Sequence, residues 1–206
     1  YNGAEYFISR LEDADEVYEF VLPDDMPHVC RGCYACLHGN EDKCGGYQYL
    51  LPINEAISKS QLIIFCCPVW SFHAPGQIKT FLDHYGFRWL VHRPDFEMLN
   101  KQAVIITTAG GSGMKSAAKD IKDSMDYWGV ARTHVIKQAV WDFFWNDMPE
   151  KMKKSFKKKL DKAAARVSAY AKNLKPSLKV KILCKIFGYL HLKGKMWEID
   201  NKYWKE

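Results

Sequence analysis

An α/β fold with a parallel sheet is what this chain predicts, and three observations carry that reading. Leu62-Ile-Ile-Phe-Cys-Cys67 and Ala103-Val-Ile-Ile106 are short continuous apolar runs, the pattern of strands buried on both faces. Each is followed by helical spacing: Ile78, Phe81, Leu82 and Tyr85 after the first, and Ser116 to Trp128 after the second. A long helix then places Met152, Phe156, Leu160, Ala163, Val167, Tyr170 and Leu174 on one face, at steps of 4, 4, 3, 4, 3 and 4. Strands and helices in alternation argue a parallel sheet covered by helices.

Taken in order, Tyr1 to Leu11 has a helical pattern with Ala4, Phe7, Ile8 and Leu11 on one side. Glu16 to Leu22, with Val17, Phe20, Val21 and Leu22, reads as a strand, and a polar loop holding four cysteines follows it. Ile53 to Ile57 reads as a short helix begun near Pro52. The first buried strand stops at Pro68, and the second runs straight into Thr107-Thr-Ala-Gly-Gly-Ser-Gly113. His134 to Trp141 is the third strand candidate, and Asn146-Asp147 ahead of Pro149-Glu150 marks the start of the long helix. Beyond Pro176 the chain is basic and aromatic, with Leu183, Ile186, Phe187 and Leu190 on a further helix.

Composition narrows the class. The 206 residues suffice for one full core, and 48% hydrophobic with 26% charged residues is the balance of a globular protein. No run of eighteen apolar residues offers a membrane-spanning helix. The opening Tyr-Asn-Gly-Ala-Glu-Tyr lacks the basic-then-apolar pattern of a secretory leader. Seven cysteines, four of them crowded together, point to a reducing, cytoplasmic setting rather than a disulfide scaffold. The net charge of +6 sits largely in Lys151 to Lys162, which reads as the solvated face of a helix. With no zinc-finger histidine pair and no aromatic-basic sheet signature, nucleic acid is not the expected partner.

Three segments carry chemistry. Cys30, Cys33, Cys36 and Cys44 fall within fifteen residues and put four soft ligands within reach of one centre. Such a set suits a [4Fe–4S] cluster, a structural zinc or redox-active dithiols. Pro68-Val-Trp-Ser-Phe-His-Ala-Pro-Gly76 follows the first buried strand, where ligands bind in doubly wound sheets, and Trp70 offers a flat surface there. Thr108-Ala-Gly-Gly-Ser-Gly113 follows the second, and its glycines allow backbone N–H groups to approach a ligand. Trp70 and Phe72 could equally cover the core. Cys66 and Cys67 read as core residues at a strand end, and Asp83, His84, Arg88, His92 and Arg93 as surface or subunit-contact groups.

Pro68-Val-Trp-Ser followed by Gly76-Gln-Ile-Lys79-Thr-Phe-Leu-Asp83 resembles a segment of flavodoxin-like NAD(P)H-dependent oxidoreductases. Together with the cysteine run and the Thr107–Gly113 loop, in that order, it is similar to the iron–sulfur flavoproteins. The likeness covers residues 1–174. It implies a flavodoxin-like doubly wound sheet of strand order 2-1-3-4-5 that binds FMN and acts as a homodimer or homotetramer. Carried onto this sequence, the flavin would rest against Pro68, Val69, Trp70, Ser71 and Phe72 and against Thr107, Thr108, Ala109, Gly110, Gly111 and Gly113. Cys30, Cys33, Cys36 and Cys44 would hold a [4Fe–4S] cluster. The chemistry would then be the cofactors' own, moving electrons from NAD(P)H or a ferredoxin-like donor to a small-molecule or protein acceptor. The rival readings are an NAD(P)H-dependent FMN or quinone reductase whose cysteines carry no cluster, and a zinc-stapled binding module.

One departure stands out. Relatives open on a strand and a Ser-rich phosphate-binding loop, and this sequence opens on what reads as the helix after them. The first strand is therefore expected in residues ahead of Tyr1. Residues 175–206 form a helical extension expected to pack on a partner subunit, with closure over a neighbour's flavin pocket as one alternative. Peripheral membrane contact is another, because Lys179, Lys181 and Lys185 flank apolar residues.

Overall fold

The structure, a computed structural model, describes residues 1–12, 14–141 and 145–206. Three parallel strands form its sheet in sequence order: β1 (Leu62–Pro68), β2 (Gln102–Ala109) and β3 (Arg132–Ala139). Leu62 pairs with Gln102 and Pro68 with Thr108, while Gln102 pairs with Arg132 and Ala109 with Ala139. All three strands thus end at one rim, where a parallel sheet presents its loops.

Alternation along the central strand builds two cores. Val104 and Ile106 of β2 meet Phe7 of α1 (Asn2–Ile8) and Phe156, Leu160 and Val167 of α5 (Glu150–Ala171). On the other face Ala103 and Ile105 meet Leu50, Ile53 and Ile57 of α2 (Tyr47–Lys59), Ile78 and Phe81 of α3 (Gly76–Asp83), and Ile121, Met125 and Trp128 of α4 (Met114–Trp128). The spacing read for the long helix holds over its middle, where Phe156, Leu160, Ala163 and Val167 are buried, but Tyr170 is exposed and Leu174 lies beyond the helix end. Two further helices, α6 (Leu178–Leu192) and α7 (Glu198–Tyr203), make the extension; α6 packs on α4 and on α7.

Several sequence expectations are corrected. Glu16 to Leu22 forms no strand. A strand is completed by ladder hydrogen bonds, and among the described residues β1 pairs with β2 alone, so this segment has no strand beside it there. Its Phe20 and Leu22 pack against the core, while Val17 and Val21 are exposed. The helix expected near Pro52 starts at Tyr47 instead. Proline removes the N–H that would meet the Gln48 carbonyl, but Gln48 is exposed, and water can satisfy that oxygen. The first strand is not buried on both faces either. Paired on one edge among the described residues, β1 alternates toward its end, with Cys67 in the core and Cys66 exposed.

A buried polar relay fastens β2 to its neighbours. Gln102 donates through Nε2 to the Val167 carbonyl at 3.0 Å and accepts at Oε1 from His134 Nε2 at 3.0 Å. Burial, then the cations Arg166 and Arg132, hold the His134 imidazole below the usual histidine range. The unfolded chain therefore takes up a proton that the folded chain resists. Stability from this site is complete above the ordinary value near 6.5 and is lost as pH falls through the lower folded value. Urea midpoints measured at about pH 7.5 and about pH 5 should drop on the acid side, and His134→Gln should shrink that drop. An equal drop in the variant would refute the assignment.

Candidate functional site

Two loops and one indole converge on the carboxyl rim of the sheet. Val69 N donates to the Thr108 carbonyl at 2.8 Å, continuing the β1–β2 ladder into the loops, and Val140 N donates to the Ala109 carbonyl at 2.8 Å. Trp70 and His73 then close a tight turn through paired backbone bonds of 3.0 and 2.9 Å. That turn leaves Trp70 66% and Phe72 64% exposed, so neither covers the core. Of the segments expected at this site, Pro68, Trp70, Ser71, Phe72, Gly110 and Gly111 lie exposed at the rim. Thr107 and Ala109 are buried inside β2 and carry the loop rather than line it.

The two loops are fitted to one another. Gly113 has φ +89, and a Cβ there would lie 2.7 Å from Val69 Cγ1 and 2.9 Å from Phe72 Cα. Ser116 Oγ donates to the Phe72 carbonyl at 2.7 Å. Asp120 Oδ2 accepts from Ala74 N at 3.1 Å and meets His73 Nδ1 at 3.1 Å. Helix α4 therefore holds the Trp70 turn as well as the glycine loop.

Sequence reasoning missed Ser116, Asp120 and Trp141. The apolar pattern predicts a third strand running to Trp141, but β3 stops at Ala139. Trp141 instead adopts φ +53 and turns its ring over the glycine loop, 70% exposed, with Cη2 3.4 Å from where a Gly111 Cβ would be. The available signal was an aromatic residue just past a strand end in a sheet whose other strand ends bear loops. Left-handed backbone in bulky residues is strained and gathers at ligand sites. Among the described residues the non-glycine examples are Tyr34, Ser71, Phe72 and Trp141, three at this rim and one in the cysteine loop.

The cysteine loop forms the second candidate. Cys30, Cys33, Cys36 and Cys44 all line a single cavity of about 320 Å3, with Arg31, His28, His84 and Trp89 also in its wall. The thiols sense one another: Cys36 is pushed up first by burial and then by Cys44, Cys30 and Cys33. Among the described residues, no three His, Cys, Asp or Glu side chains converge closely enough to hold a single metal ion. His84 bridges the wall, with Nδ1 3.6 Å from Cys44 Sγ and Nε2 3.1 Å from the His28 carbonyl. His28 Nδ1 and Trp89 Nε1 are buried with no hydrogen-bond partner among the described residues.

Of the polar residues expected at the surface or at a subunit contact, Asp83 is exposed and pairs with Lys79, and Arg88 lies beside Asp95, whereas His84, His92 and Arg93 support this loop. Arg93 Nη1 donates to the Leu37 carbonyl at 3.2 Å and to Asp200 Oδ1 at 2.6 Å, and Nη2 donates to the Cys36 carbonyl and to Glu41 Oε1. His92 Nδ1 meets the other Asp200 oxygen at 2.8 Å. His38, between Cys36 and Cys44 in the sequence, stacks on Trp197. Helix α7 thus backs the cysteine loop of its own chain. His84 is buried and held below the usual histidine range by that burial.

The packed contact between the two rim loops is open to test. Gly113→Ala should lower stability by about 1–3 kcal/mol, read from urea unfolding. Gly110→Ala, where a Cβ meets nothing within 4 Å, should be near neutral. Equal midpoints for both variants would refute the fit.

Comparison with known proteins supplies the family. Residues 2–146 match the model of the NADPH-dependent FMN reductases. Over 98 residues the chain is 28% identical to an FMN-dependent NADH:quinone oxidoreductase of Photorhabdus laumondii subsp. laumondii, a stretch covering 44% of this chain and 46% of that protein. The chain therefore matches less than half the length of this curated relative. An NADH:FMN oxidoreductase in its apo form superposes with a TM-score of 0.58 at 16% identity, over 84% of this chain and 85% of that one. An NAD(P)H:quinone oxidoreductase from Methanothermobacter marburgensis gives 0.57 at 16% identity, over 81% and 88%. An FMN-dependent NADH-azoreductase from Bacillus anthracis, solved with FMN, gives 0.53 at 13% identity, over 81% and 88%. At such identities the structures speak for the fold, which is flavodoxin-like, and the family match speaks for kinship: the chain belongs to the NADPH-dependent FMN reductases, a family of flavin-dependent oxidoreductases.

Proposed function

We propose that this protein is an FMN-dependent NAD(P)H oxidoreductase that reduces a small acceptor of the quinone type. The observation that carries the reading is the rim, where exposed Trp70, Phe72 and Trp141 surround a glycine loop at the ends of three parallel strands. The residues fit a flat aromatic ring: indole and phenyl surfaces stand free of the core, and Gly110 opens on space that a Cβ would meet without contact. FMN, when bound, would supply the two-electron chemistry between a nicotinamide donor and the acceptor. The chain's part is to bind and orient. Trp70 and Trp141 offer stacking faces, the Gly110–Gly113 backbone allows close approach, and Ser116 and Asp120 fix the turn that presents Trp70. Residues 1–174 make up the flavin unit in this reading and residues 175–206 an extension. The open rim fits a homodimer or homotetramer in which another subunit or the substrate covers it, and the setting is cytoplasmic.

Flavin fluorescence titration should show FMN binding that weakens about tenfold in Trp141→Ala, the worth of one aromatic stacking contact near 1.4 kcal/mol. NAD(P)H oxidation in the presence of FMN and a quinone should accompany it. Absence of both binding and turnover would overturn the proposal.

A second reading concerns the cysteines and rests on the cavity. Four thiols and two unpartnered buried N–H-bearing side chains, His28 and Trp89, surround one space. Thiolate ligands and N–H donors aimed at sulfur are the surroundings an iron–sulfur cluster uses. Cys30, Cys33, Cys36 and Cys44 would hold a [4Fe–4S] cluster there, a one-electron store beside a two-electron cofactor. Protein purified without oxygen should contain about four irons and matching acid-labile sulfide per chain, and Cys36→Ala should lose both. Iron-free protein with unchanged flavin chemistry would leave the reductase without a cluster, and stoichiometric zinc would make the loop structural.

A further inference from the structure

Helix α6 is apolar on two sides, and its own chain covers only one. Val180 is fully buried, and Leu183, Phe187 and Leu190 are partly covered on the inner side, where Phe187 meets Tyr127 of α4 and Gly188 lies against Trp204. The outer side carries Leu178, Ile182, Ile186, Tyr189 and Leu192, between 46% and 74% exposed, at steps of four, four, three and three. That periodicity makes a continuous stripe along the helix. Trp197, 51% exposed, lies just past the helix end. Scattered exposed apolar residues are ordinary, but a stripe along a whole helix marks a surface that something covers.

Charge shows what kind of partner fits. From Leu178 to Trp197 the sequence holds five lysines and no carboxylate. Lys179 is taken up by Asp126 at 2.7 Å and Asp123 at 3.6 Å. Lys181, Lys185, Lys193 and Lys195 form no ion pair among the described residues. Lys193 and Lys195 stand near the Tyr189 ring, 6.0 and 5.9 Å from its centroid. At 100° per residue Lys181 falls on one flank of the stripe, Lys179 with its Asp126 partner on the other, and Lys185 within it, so positive charge lies along the apolar band as well as beside it.

We propose that this face of α6 lies on an anionic lipid bilayer, with the helix in the plane of the interface. Apolar side chains dipping below the headgroups, lysines reaching lipid phosphates and Tyr or Trp at the boundary are the features of an interfacial helix. The helix is too short to do otherwise. Its 15 residues fall below the roughly 20 a span needs, and no described helix is long and apolar enough to cross a membrane. A second copy of the chain fits less well. Isologous pairing would set the lysines of one helix against those of another with no carboxylate between them. Five side chains on one helix also fall short of the roughly 20–30 residues a side that a standard interface engages.

The test uses the full chain and vesicles of phosphatidylcholine with and without phosphatidylglycerol, followed by flotation. The protein should float with the anionic vesicles, stay in solution with the neutral ones and be released by salt. Lys181→Glu with Lys185→Glu should weaken binding by at least about tenfold, and Ile182→Glu with Ile186→Glu should abolish it. Should the isoleucine variant fail to fold, as a thermal melt would show, the lysine variant and the lipid dependence of the unaltered protein decide. Equal binding to neutral vesicles, or none to anionic ones, overturns the proposal. So does a lipid-free oligomer that Ile186→Glu dissociates, since the face would then belong to a second copy.

Discussion

Burial of β2 on both faces and both edges is the constraint from which the molecule follows. Ala103, Val104, Ile105 and Ile106 are wholly inaccessible, so every N–H and C=O of that strand must find a partner away from water. Parallel pairing with β1 and β3 answers this, and parallel pairing demands crossover helices. Helices α3 and α4 are those crossovers in the intervals between the strands. The hydrogen-bonded register then brings Pro68, Ala109 and Ala139 to one rim. A flavin-sized site at that rim is thus a consequence of how the central strand is satisfied.

A second centre of cohesion is ionic. Arg93 and Asp200 pair with side chains 9% and 1% exposed, and the same guanidinium reaches two carbonyls of the cysteine loop and Glu41. Burying such charges costs several kcal/mol each, which pairing alone need not offset. What the arrangement supplies is position. It joins residues far apart in the chain, so that α7 and the cysteine loop form one body and the cavity wall is set by packing as well as by the loop. Removing either partner would strand the other as a buried charge, a larger loss than the pair itself is worth.

Strain and function coincide in this chain. Ser71, Phe72 and Trp141 hold left-handed backbone at the rim, and Tyr34 does so among the cysteines. The surroundings enforce these conformations. Phe72 is fixed by Gly113 and Ser116, and Trp141 rests over Gly111. Side chains that could have folded inward are held out toward solvent, where a ligand can reach them. Rigid presentation of this sort lowers the entropy that binding must overcome.

The sequence by itself determined the α/β class, the three strands, the long α5 and the family kinship, because each rests on local periodicity or on a contiguous motif. Phe156, Leu160, Ala163 and Val167 were legible as a buried face since a helix repeats every 3.6 residues whatever packs on it. The Trp70 turn and the glycine loop were legible because strand ends in such sheets are where loops gather. Only the tertiary structure decided the rest. Glu16 to Leu22 has strand-like residues, but a strand exists only when another lies beside it. Trp141 could be placed over Gly111 only once β3 was known to stop at Ala139. Arg93 looked like a surface cation until Asp200, more than a hundred residues later, came to lie against it. Local pattern fixes which elements form, whereas contacts between distant residues fix where they end and what they touch, and no spacing along the chain encodes those contacts.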